Sequence, residues 1–212
     1  MSFEQRFQQL TGHSPYPWQI ALYVQVRDGN IPHRLHLPTG AGKTNVISVW
    51  LCALWHQLES GLPLSIPRRL YFAVDRRVVV DQSEVLAQTI CDNIKKTGLW
   101  ELMQQKTLSE NPLIISVLRG QRVVEYDAIV SDPSAFSIIL CTPDMIFSRL
   151  LGGAYACGPR QASREMGLVG QDSFIVLDEA HISEANIKVL EFVNGTPLPF
   201  VIPDVQPLTS HQ

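Results

Sequence analysis

Short apolar runs punctuate the chain at positions 35–37, 69–74, 113–118, 136–140 and 174–177. Several are continuous rather than alternating, as expected of strands buried on both faces of a parallel sheet. Helix-period stretches separate them, at 45–58 and 79–94 among others. Strands alternating with helices predict right-handed βαβ crossovers and a three-layer α/β domain with a mainly parallel sheet. The uncharged run at 45–58 is shorter than the ~20 residues of a membrane span, so it reads as a buried helix. Two segments break the pattern. Residues 152–170, rich in glycine and basic residues, read as irregular. The stretch from Asn194, NGTPLPFVIPDVQPLTSHQ, carries four prolines, which disfavour both a regular helix and a central strand. The pattern therefore predicts a lead-in over 1–13, a domain over 14–193 and an extended tail over 194–212. No internal repeat or low-complexity block occurs.

Composition narrows the class without naming a chemistry. Of 212 residues 45% are hydrophobic, enough for one well-buried domain. Seventeen basic against twenty acidic residues leave a net charge of −3, so bulk charge does not advertise nucleic acid or membrane. Four scattered cysteines, with no C-x-x-C pair, argue against a zinc site or a disulfide framework and predict a reducing cytosol. The N-terminal MSFEQRFQQL is too polar for a signal peptide.

The first chemical signal is HLPTGAGKT, residues 36–44, between a short apolar run and a long one. Gly40 and Gly42 permit backbone conformations and a close approach that side chains would block. The loop residues Thr39, Gly40, Ala41 and Gly42, with a helix N-terminus behind them, predict a cradle of N–H groups for an anion. Lys43 would add a mobile charge for β- and γ-phosphates, and Thr44 a hydroxyl for Mg²⁺. Leu37 stands where the general pattern asks for glycine, so the strict motif fails while T-G-A-G-K-T is intact. A glycine-rich turn capping a helix is the plain alternative.

A second signal, FIVLDEAH at 174–181, weighs against that alternative. Its apolar residues predict a buried strand with Asp178 and Glu179 at the carboxyl end, the edge where open α/β sheets bind ligands. Asp178 would bind Mg²⁺, and Glu179 would orient or deprotonate the attacking water. An acidic helix cap is the plain reading of a lone Asp. A given tetrapeptide, however, arises by chance in roughly one chain per thousand at average composition.

TGAGKT followed by DEAH resembles the first RecA-like lobe of a superfamily 2 helicase, in which the Leu37 departure is frequent. The resemblance implies a RecA-like P-loop NTPase domain binding ATP and Mg²⁺, with Glu179 and Lys43 catalytic. RRLYFAVDRRVVVDQ (68–82), VLRG (117–120) and CTPDMIFSRLL (141–151) follow in the expected order. With YPWQ (16–19), they resemble the helicase–nuclease of type I CRISPR systems, over roughly residues 14–190. By that resemblance Gln19 selects adenine; a Gln amide can bond two adenine edge atoms at once, though an exposed helix-start glutamine reads equally well. Arg76, Arg77, Arg119, Thr142 and Asp144 fall near strand ends, where they could meet a single DNA strand; solvated turns and a helix N-cap are the alternatives. His181 is implied to couple the nucleotide site to a second lobe.

The resemblance also implies partners: single-stranded DNA, a second RecA-like lobe and a CRISPR surveillance complex, in the cytoplasm and without a membrane. Residues 182–212 contain no S-A-T segment, and no His-Asp pair occurs for a metal-dependent nuclease. The expectation is therefore a truncated helicase lobe, a module completed by a partner, or an inactive remnant.

Overall fold

The continuous apolar runs become parallel strands whose side chains alternate between two cores. The computed structural model describes all residues except 33, 39, 75–76, 119–125, 154–158, 179–199 and 205–212. Six strands, β1 (Arg34–His36), β2 (Arg69–Ala73), β3 (Leu113–Leu118), β4 (Phe136–Cys141), β5 (Ser173–Leu177) and β6 (Phe200–Asp204), form a sheet in the order β1-β6-β5-β2-β4-β3. Its strand pairs are parallel. Positions in β2, β4 and β5 are buried throughout. Leu70, Phe72, Ile138, Leu140, Phe174 and Val176 face one core, while Tyr71, Ala73, Ile139, Cys141, Ile175 and Leu177 face the other. The two-residue period of a strand divides each continuous run between both faces.

Helices α1 (Phe3–Thr11), α2 (Pro17–Arg27), α3 (Val46–Ser60), α4 (Arg77–Ile94) and α5 (Gly98–Gln104) contribute to the first core. Helices α6 (Tyr126–Ser131), α7 (Pro143–Leu150) and α8 (Pro159–Gly170) contribute to the second. The three-layer α/β expectation holds. Nearly every residue of α3 is buried, because α1, α2 and α5 pack around it. Its Trp50 indole N–H donates to the Pro67 carbonyl at 2.8 Å.

Three segments differ from the sequence reading. Residues 3–11, expected as a lead-in, form α1, started by a Ser2–Gln5 capping box and ended by Gly12 at φ 78°. Phe3, Phe7 and Leu10, spaced one helical turn or two apart, enter the first core.

The stretch 152–170, expected as irregular, holds α8 over its second half. Glu165, Leu168 and Val169 are buried there. Arg149 of α7, 1% exposed, donates from Nε to Glu165 Oε2 at 2.9 Å and from Nη1 to the Met145 carbonyl at 2.9 Å. Its guanidinium carbon lies 4.9 Å from the Tyr126 ring centroid, and the Tyr126 and Tyr71 hydroxyls share a 3.0 Å hydrogen bond. A tertiary ion pair anchors a helix whose composition alone looks like loop. Glu165→Ala is expected to cost about 3–5 kcal/mol, because it strands a buried guanidinium. Arg149→Met/Glu165→Leu should recover most of that loss. Urea denaturation of both variants is the check, and a loss below about 1 kcal/mol for Glu165→Ala would show that water relieves the charge.

The proline-rich stretch, expected to avoid a central strand, places β6 between β1 and β5. The pairing shows how Pro203 is tolerated. β5 pairs with Phe200 and Val201 only, whereas Ile202, Pro203 and Asp204 pair with β1. Pro203 therefore stands where the strand has one partner rather than two, which is the edge-like setting proline accepts.

The amino edge of the sheet is tied down by Arg69. Its guanidinium donates to the carbonyls of Leu168, Pro133 and Gln171 at 2.8–3.1 Å. Among the described residues no helix is long and apolar enough to cross a membrane.

Candidate functional site

At the carboxyl edge, β1 runs into the glycine loop and β5 into Asp178. Gly40 and Gly42 have φ of 80° and 70°, in the left-handed region that glycine enters without a Cβ penalty. A single 3₁₀ turn, Lys43–Asn45, joins the loop to α3, with the Asn45 N–H donating to the Gly42 carbonyl at 3.0 Å. Thr44 lies half-buried in that turn.

Asp178 is fixed by the sheet itself. Its backbone N–H donates to the Ala73 carbonyl at 2.8 Å, extending the β5–β2 ladder by one residue. Its carboxylate Oδ1 lies 3.8 Å from Lys43 Nζ, and the two side chains are 12% and 10% exposed. The sheet order separates β1 from β5 by one strand, yet the loop carries Lys43 across to the acid. Opposite charges this close and this shielded from water attract strongly. A divalent cation or a phosphate could insert between such a pair, each satisfying one partner. The Asp178 carboxylate and the Thr44 hydroxyl are hard oxygen donors of the kind Mg²⁺ takes. Among the described residues no group of three or more His, Cys, Asp or Glu side chains is placed to hold a metal ion.

The start of α2 forms the site's other wall. Gln19 is 1% exposed, so it is not a solvated helix-start residue. Its Oε1 accepts from the Tyr16 N–H at 2.9 Å. Its Nε2 is buried without a partner among the described residues and lies 3.7 Å from where a Cβ on Gly42 would stand. Sequence reasoning missed Trp18, whose indole N–H donates to the Ala41 carbonyl of the glycine loop at 3.0 Å. Its place in YPWQ, beside Gln19, was the available signal.

Thr142 occupies the N-cap of α7 with φ −92° and ψ 156°, but its side chain makes no capping bond. Pro143 is the first helical residue, and Asp144 is exposed in the first turn. Arg77 opens α4 directly beyond β2. Thr39, Arg76, Arg119, Gly120, Glu179 and His181 lie outside the described residues.

No curated protein sequence matches the chain. Among solved structures, the DUF1998 helicase MrfA bound to DNA and AMPPNP superposes with a TM-score of 0.62 at 13% identity, over 97% of this chain and 26% of that one. The Mycobacterium smegmatis helicase Lhr bound to ssDNA and AMP-PNP gives 0.58 at 15% identity, over 97% and 24%. The fold is thus the RecA-like helicase domain, and this chain spans about a quarter of either helicase. The model of the ResIII family, described as type III restriction enzyme, res subunit, matches residues 12–197, a span that takes in α2, the glycine loop and the acidic strand, and the chain belongs to that family.

Proposed function

We propose that this chain is the ATP-binding first lobe of an ATP-dependent DNA helicase of superfamily 2. The observation that carries the reading is the 3.8 Å approach of Lys43 to Asp178 at the carboxyl edge of the sheet. In this reading Lys43 meets the β- and γ-phosphates, the loop N–H groups of residues 39–44 cradle them, and Thr44 and Asp178 hold Mg²⁺. The cation would neutralise charge on the phosphate oxygens. Glu179, following Asp178, would orient the attacking water, and His181 would pass the state of the site to a second lobe. The buried, unpartnered Nε2 of Gln19 supports an adenine contact.

Arg76, Arg77, Arg119, Thr142 and Asp144 would contact a single DNA strand. Thr142 has a hydroxyl not spent on capping, and the solved helicases of this fold are bound to DNA. The resemblance of DRRVVVDQ and TPD supports the finer reading of a relative of the helicase–nucleases of type I CRISPR systems, which would act in the cytoplasm with a surveillance complex.

Calorimetry with Mg-ATP and Mg-GTP tests the nucleotide reading. The wild-type chain should prefer ATP, and Gln19→Ala should reduce that preference about tenfold, the order of one good bidentate base contact. A chain that binds neither nucleotide sinks the reading. An unchanged preference in the variant removes Gln19 from it.

A further inference from the structure

A side chain from α2 holds the backbone of the glycine loop, and the direction of that hold matters. Trp18 Nε1–H donates to the Ala41 carbonyl at 3.0 Å, across 23 residues of sequence. The indole packs against the first core, and α2 is anchored there by buried Leu22, Tyr23 and Val26. The peptide joining Ala41 to Gly42 is trans, so its C=O and N–H point in opposite directions. Fixing the Ala41 oxygen toward Trp18 therefore fixes the Gly42 N–H away from it. Among the described residues, the loop's own hydrogen bonds engage the Ala41 N–H and the Gly42 carbonyl, not the peptide between Ala41 and Gly42. Gly42, at φ 70°, belongs to the residue type that can turn a peptide plane at least cost. A turned plane would present a carbonyl oxygen where a donor is needed, and an oxygen facing a phosphate repels it.

We propose that Trp18 is a positioning residue for anion binding: its indole N–H locks the 41–42 peptide so that the Gly42 N–H points into the phosphate cradle. The proposal rests on the nucleotide reading above. It makes Trp18 act on the phosphates through the loop, while Gln19, one residue on, acts on the base. The two effects separate by ligand.

The test uses the full 212-residue chain and amide NMR titrations with ATP, inorganic pyrophosphate and adenosine. Four proteins are compared: wild type, Trp18→Phe, a chain with benzothienylalanine at position 18, and Lys43→Ala. Benzothienylalanine keeps the bicyclic shape and removes only the N–H donor, which covers the case in which Trp18→Phe fails to fold. ATP and pyrophosphate should each bind about three- to tenfold more weakly without the donor, the worth of one hydrogen bond. Adenosine should bind as in wild type. Parallel weakening of adenosine would mean that α2 has merely shifted, and would overturn the proposal. Unchanged ATP and pyrophosphate affinity in the benzothienylalanine protein would overturn it too. If Lys43→Ala weakens ATP while the donor-free proteins match wild type, only the positioning role falls. If Lys43→Ala also matches wild type, the nucleotide reading fails and takes this proposal with it.

Discussion

Phosphate release by the isolated 212-residue chain is expected to remain at background, with or without single-stranded DNA. Transfer of a γ-phosphoryl group depends on stabilising charge on its equatorial oxygens, and loss of an arginine finger costs roughly 10³–10⁵ in rate. In the proposed lobe Lys43, and Mg²⁺ held at Asp178 and Thr44, meet the ground-state charge. The finger would come from the facing lobe. Lys43 and Asp178 are themselves shielded, but the transferring phosphoryl group would meet water on the side a facing lobe would cover, which weakens electrostatic stabilisation of its developing charge. DNA should not rescue turnover, because the step it stimulates is closure of two lobes. A second lobe added in trans should raise the rate where the two dock. Steady-state phosphate assays with and without DNA are the check. Robust DNA-stimulated hydrolysis by the isolated chain would show that it completes its own site, for instance by self-association.

Lys43→Ala is expected to weaken ATP binding on the order of 100-fold, at the upper end for hydrogen bonds to charged groups. The ammonium lies 3.8 Å from the Asp178 carboxylate, at the mouth of the glycine loop. It would neutralise phosphate charge that backbone donors alone meet with partial charges. The substitution also removes the ammonium that stands 3.8 Å from the Asp178 carboxylate, which is 12% exposed. A modest drop in melting temperature should accompany the binding loss. Calorimetry and thermal denaturation on the same samples separate the two effects. Equal ATP affinity in variant and wild type would remove the loop from phosphate binding altogether.

The sequence by itself determined the layered architecture and marked the loop and the acid of the candidate site. Five of the six strands lie on or overlap the short apolar runs, because a parallel strand covered on both faces is largely apolar, as in β2, β4 and β5. The glycine loop and the DEAH acid were legible because their chemistry is local: φ above zero at Gly40 and Gly42, and a carboxylate directly past a buried strand. Sequence could not say that Lys43 and Asp178 meet, since that distance depends on strand order. β6 was missed because proline's cost was charged to the whole segment, whereas β6 itself holds a single proline, Pro203, and it stands where one neighbour has ended. α8 was missed because the segment's glycine and basic content reads as loop, and the anchor of its buried face, Glu165 against Arg149, spans two helices. Gln19 could be exposed or buried at a helix start, and only the packing of α2 against the loop resolved it. The bond from Trp18 to the Ala41 carbonyl is of the same kind: local preference is written residue by residue, but a contact between distant segments exists only once the core has set where each must lie.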